Sequence, residues 1–103
     1  MMKNLQVYAY CRSDPGEGEE TIDRQKAKLE AYAKDKGWTI VGWYIDRNID
    51  GKTPDRPEMN RLKADTADMT NPAVIMEKFA TWFSRSNPDD FSVPFLAYVT
   101  EAN

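Results

Sequence analysis

The chain has 103 residues, 41% hydrophobic and 30% charged, a size and composition that suit one soluble domain with a single core and exclude two. Lysine and arginine number 14 against 17 acidic residues, and the resulting net charge of −3 argues against autonomous duplex DNA binding, which calls for a strongly basic face. A lone cysteine, Cys11, and the lack of histidine exclude an internal disulfide, a zinc centre and histidine-based acid/base chemistry; no cofactor or metal is expected.

Leu5 to Cys11 is β-rich, with Val7, Ala9 and Cys11 alternating with Tyr8 and Tyr10, and reads as the first strand. Arg12 to Glu20 carries a proline, two glycines and an acidic run, and reads as a mobile, solvated loop. From Thr21, a candidate cap, Ile22, Gln25, Leu29, Tyr32 and Ala33 follow helical spacing until Gly37 stops the run. Trp38 to Asp46 is nearly continuous in apolar character, which predicts a central strand covered on both faces.

Arg47 to Asp55 is turn chemistry, and Pro57 then opens a short helix with Met59, Leu62 and Thr66 on one side. Thr70 to Pro72 breaks it, and Ala73 to Met76 forms a third strand. Beyond Phe79 a short or kinked helix is expected near Pro88, because Pro94 interrupts anything longer. Phe91 to Val99 is crowded with apolar side chains that want a partner surface, inside the chain or outside it. Strands alternating with helices predict an α/β fold with right-handed crossovers: a mainly parallel sheet of three to four strands with helices on both faces, in a single domain spanning residues 1–103. No apolar run approaches the roughly 20 residues of a membrane span, and MMKNLQVYAYCR lacks the form of a signal peptide, so no membrane contact and a cytoplasmic location are expected.

The groups left for chemistry are hydroxyls, carboxylates, lysines and arginines. They gather in Tyr10-Cys11-Arg12-Ser13-Asp14, in Ile22-Asp23-Arg24-Gln25, in the loop from Tyr44 to Pro57, and in Phe83-Ser84-Arg85-Ser86. This order resembles the N-terminal catalytic domain of the serine site-specific recombinases, the resolvase and invertase family, over roughly residues 5 to 90. That family shows a Tyr-x-Arg-Val-Ser strand end, an Ile-x-x-Gln helix start, a strand ending in Asp followed by Ser-Gly and Arg-Pro, and an Asp-Arg-Leu-Ser-Arg segment.

The resemblance implies DNA cleavage and exchange, in recombination or integration of mobile elements, through a phosphoseryl intermediate. A serine hydroxyl is a poor nucleophile, so arginines must surround the phosphate and neutralise the charge that develops in the transition state. Arg12, Arg56 and Arg85 match the family's arginines, Gln25 its helix glutamine, Asp46 the aspartate closing the second strand and Gly51 the glycine of Ser-Gly. Ser13 is the candidate nucleophile, yet it adjoins Arg12 directly, whereas the family leaves one residue between them and that position is Asp14. Thr81-Trp82 replaces the family's Asp-Arg, and Asp50 its serine before glycine.

Three functional readings stay open. The first is a recombinase-like domain with lost or weak cleavage. The second is a non-catalytic interaction protein that pairs with a recombinase, a second copy or another protein through Phe91 to Val99, and the third is an active domain cut short and using Ser13. Ser13 also reads as a loop serine bonded to nearby backbone, and the arginines as ion-paired surface groups. Asp46 and Asp50 suit turn formation better than metal binding, and Trp38, Trp43 and Trp82 suit packing better than base stacking. The family's long dimer helix and DNA-binding domain are not expected within these residues, so contact with the DNA phosphate backbone would require their addition.

Overall fold

A computed structural model of the chain describes residues 5–50, 56–77 and 96–99. Its elements are β1 (Gln6–Arg12), α1 (Glu19–Lys36), β2 (Thr39–Asp46), α2 (Pro57–Asp65), β3 (Ala73–Met76) and β4 (Leu96–Val99). The four strands pair in parallel in the order β2-β1-β3-β4. From β1 the chain steps to β2 on one side and then recrosses to β3 on the other. Two right-handed crossovers in opposite directions must put their helices on opposite faces. The expected α/β sheet with helices on both faces is therefore observed.

Strand alternation splits β1 between two cores. Val7, Ala9 and Cys11 join Ile22, Leu29 and Ala33 of α1 on one face, while Tyr10 joins Tyr44, Met59 and Leu62 on the face covered by α2. β3 is buried along its whole length and contributes Ile75 to the first core and Val74 and Met76 to the second.

Trp38 to Asp46 differs from expectation. β2 is an edge strand among the described residues and β1 and β3 are the inner ones, because coverage by helices on both faces does not fix a strand's place in the order. Its register against β1 slips between Val7 and Tyr8, so that Val7 faces Ile40 but Tyr8 faces Gly42. The extra residue, Val41, is 45% exposed, and the slip lets Ile40, Trp43 and Ile45 share the α1 face. Gly42 suits that place, since a Cβ would lie 3.2 Å from the Tyr44 ring and 3.4 Å from that of Tyr8, and the rings would have to give by a few tenths of an ångström.

α1 starts at Glu19, two residues before the expected Thr21 cap, with Gly18 at the N-cap and no side-chain cap. Glu19 and Glu20 thus sit in the first turn, where the helix dipole favours negative charge, instead of in a solvated loop. Gly37 ends the helix with φ 77°, and its N–H reaches the carbonyls of Ala33 and Lys34. Pro57 is the first residue of α2, and Thr66 caps its end by donating its hydroxyl to the Leu62 carbonyl at 2.8 Å. Part of the apolar Phe91 to Val99 stretch is used internally: Leu96–Val99 pairs with β3, and the Tyr98 ring meets Trp38 at 4.9 Å. Residues 91–95 of that stretch, and the helix expected near Pro88, lie outside the described residues. No helix among the described residues is long and apolar enough to cross a membrane.

Candidate active site

The C-terminal ends of β1 and β3 lie side by side, and the chain leaves them in opposite directions, toward β2 and β4. In open α/β sheets that point of reversal is where ligands bind. Here it gathers Tyr10, Arg12, Ser13 and Asp14 after β1, Asp46 at the end of β2, and Arg56 at the start of α2.

Gln25 fixes the end of β1. Its amide oxygen accepts the Arg12 N–H at 3.1 Å and its amide nitrogen donates to the Arg12 carbonyl at 2.7 Å, as a neighbouring strand would. Gln25 is buried on the inward stripe of α1, so the helix sets the height at which Arg12 leaves the sheet.

Asp46 is a cap supplied from a distance. Arg56 is the N-cap of α2 but gives no side-chain bond, and Asp46 instead accepts the N–H groups of Glu58 at 2.9 Å and Met59 at 3.1 Å. Its Oδ2 also accepts the Tyr10 hydroxyl at 2.8 Å. A carboxylate at a helix N-terminus satisfies orphaned donors and meets the positive end of the dipole. Asp46 is therefore a helix cap and not a turn former.

Arg56 is only 1% exposed. Burial pulls its guanidinium below the ordinary arginine value, with Tyr10 and Asp46 opposing and the like charge of Arg12 reinforcing the shift. It stays charged, as arginine does in proteins. Burial, then Asp46, drives the Tyr10 phenol far upward, with Arg56 opposing, so Tyr10 is a neutral donor. Tyr10 is the tyrosine of the Tyr-x-Arg strand end, named there without a role, and it shares a face of β1 with Arg12 two residues on.

Arg12 Nη1 donates to Asp14 Oδ1 at 2.5 Å and to the Ile49 carbonyl at 2.7 Å, while its buried Nε has no partner among the described residues. Ser13 is 3% exposed, a buried serine and not a solvent-facing one. Its N–H donates to the Asp46 carbonyl at 3.0 Å, its carbonyl accepts from Ile49 N–H at 2.9 Å, and its hydroxyl accepts from Asn48 N–H at 3.2 Å. Asp14 is the exposed residue, its side chain 51% accessible. The acidic segment is exposed, as its composition implied, and within it Glu17 accepts the Asp14 N–H at 2.6 Å and Glu19 forms a two-point pair with Arg47 at 2.8 Å. Behind the site, Glu77, buried at the end of β3, accepts Arg24 at 2.7 Å and Lys28 at 3.0 Å from α1.

The structure thus brings Arg12, Ser13 and Arg56 together. Gly51, Thr81, Trp82 and Arg85 lie outside the described residues. Trp38 and Trp43 are packing residues, Trp38 edge-on to Tyr32 at 5.8 Å and Trp43 under the Lys26 ammonium at 5.7 Å.

A parallel sheet of order β2-β1-β3-β4 with helices on both faces is the architecture of a resolvase-type catalytic domain. The family profile "Resolvase, N terminal domain" matches residues 7–91, and the chain belongs to that family. Among solved structures it is similar to the N-terminal catalytic domain of TP901-1 integrase, at 32% identity and TM-score 0.67, over 82% of this chain and 62% of that one. It is also similar to the C-terminal catalytic domain of ISC1926 TnpA, an IS607-like serine recombinase, at 16% identity and TM-score 0.78, over 96% of this chain and 72% of that one, a likeness of fold. The chain therefore spans less than two thirds of the integrase domain. No curated protein matches it.

Proposed function

We propose that the chain is a serine recombinase-like domain whose strand-cleaving chemistry is lost or weak, and in which Arg12, Arg56 and Arg85 persist as a phosphate-binding pocket. The observation that carries this reading is the exchange of roles between Ser13 and Asp14. A nucleophile has to approach phosphorus to about 3–3.5 Å along the line of the leaving group. The Ser13 N–H, carbonyl and hydroxyl are all bonded to residues 46–49, and its side chain is buried. The accessible position beside Arg12 carries a carboxylate, whose charge opposes a phosphodiester.

DNA affinity in this reading comes from a DNA-binding domain joined to the chain, in keeping with its net charge of −3. The reading as a docking protein acting through Phe91 to Val99 is less favoured, because Leu96–Val99 is already paired in the sheet.

The test joins this chain to the dimer helix and DNA-binding domain of an active serine recombinase, incubates the chimera with that recombinase's site, and looks for a protein–DNA adduct that survives denaturing electrophoresis. With the intact recombinase as control and the chimera shown to hold its site, no adduct is expected. An adduct that disappears in Ser13→Ala would overturn the proposal and make Ser13 a working nucleophile.

A further inference from the structure

Asp14 has a structural setting of its own. Asp14 follows the end of β1, and its carboxylate reaches back to Arg12, whose charge in turn acts on the buried Arg56. Its carboxylate takes Arg12 Nη1, which Ile49 holds from the other side. The Arg12 Nε–H is left buried and unbonded among the described residues. The guanidinium is thus bonded at Nη1 and open at Nε–H, and both carboxylate and phosphate oxygens are ligands for such donors.

The loop keeps the carboxylate in place. Asp14 N–H donates to Glu17 Oε1 at 2.6 Å, Glu17 N–H returns to the Asp14 carbonyl at 3.1 Å, and Gly16 turns the chain at φ 90°. A glycine suits that left-handed turn. Being half exposed, the Asp14 side chain is able to rotate into solvent about its own χ1 with the core untouched.

We propose that Asp14 is a built-in plug, a carboxylate that occupies Arg12 in the place of a phosphate oxygen and keeps phosphate-bearing ligands out of the Arg12–Arg56 pocket until it is displaced. This rests on the reading of those arginines as an anion pocket. The plug competes with an incoming anion twice, by holding Nη1 and by its like charge, and removing it exposes an arginine already held in position by Gln25 and Ile49.

The test titrates the full chain with inorganic phosphate and follows the Arg12 Nε–H resonance. Asp14→Asn removes the charge, Asp14→Ser removes the reach, and Asp35→Asn makes the same change of net charge at the far end of α1. Both Asp14 variants are expected to bind phosphate about tenfold more tightly than the parent, the scale of one charge-assisted hydrogen bond, with Asp35→Asn within about twofold. If neither Asp14 variant binds more tightly than Asp35→Asn, the plug is refuted. The adduct experiment reads Ser13 and this one reads Arg12, so failure of the plug and failure of the proposed function give different results.

Discussion

Cys11 shows how strongly a single position is governed by its surroundings. It is fully buried on β1 among Ile22, Leu29 and Ile75, and burial pushes its thiol up to about 12, with Lys26 and Arg47 opposing and Glu77 reinforcing. The folded value lies above the ordinary 9.0, so the unfolded chain loses this proton first. The stability associated with Cys11 is complete below about pH 9 and is lost as pH rises from there toward about 12, with a slope near 1.4 kcal/mol per pH unit for one proton. Tyr44, raised by burial and by Asp65 from 10.0 to about 12, steepens the loss above pH 10. Urea unfolding from pH 7 to 11 is expected to show stability falling from about pH 9, and Cys11→Ala to delay that fall to about pH 10. An unchanged onset in Cys11→Ala would show that the thiol does not carry it.

At the scale of elements, α2 is a nine-residue helix, too short to persist alone, that depends on a residue of another element for its start. Asp46 takes two of its orphaned N–H groups, binds the Tyr10 hydroxyl and faces the buried charge of Arg56. Asp46→Ala removes two caps and leaves a buried hydroxyl without this acceptor, a combined loss of about 3 kcal/mol. The midpoint of urea unfolding is expected to fall accordingly, and amide exchange at Glu58 and Met59 to quicken more than at Leu29 in α1. Equal loss of protection in both helices would show that Asp46 supports the whole fold and not α2 in particular. The sequence made Pro57 and the Met59–Leu62 spacing legible, but not the cap, since nothing local tells which carboxylate reaches a helix start eleven residues away. In α1 local rules succeeded at Gly37, where only a left-handed turn fits, and misplaced the start, because Thr21 invited a cap that Gly18 supplies without a side chain.

At the scale of the molecule, fold class was readable because alternating strand and helix patterns with right-handed crossovers leave few arrangements. The order of strands was not, since β2 carries an apolar run and a register slip that hide its position at the edge. Arg12, Gln25, Asp46 and Arg56 were found through motif order, whereas the burial of Ser13 and the pairing of Asp14 with Arg12 depend on how residues 46–49 lie against the end of β1. The inner strands, β1 and β3, also decide cooperativity. β1 supplies Val7, Ala9 and Cys11 to the α1 core and Tyr10 to the α2 core, so neither core persists if the other releases the strand. Leu29→Ala and Leu62→Ala, both at fully buried positions on opposite faces, are each expected to cost about 2–4 kcal/mol. Because the side chains share no partner, the two losses should add to within about 0.5 kcal/mol in the double variant. In a Trp82→Phe background, tryptophan fluorescence reports on the α1 side, through Trp38 and Trp43, and far-ultraviolet dichroism on both helices. With β1 shared, the two signals are expected to give one coincident urea transition in either single variant. Leu62→Ala that shifts dichroism while leaving fluorescence at its parental midpoint would show instead two cores that melt independently across the sheet.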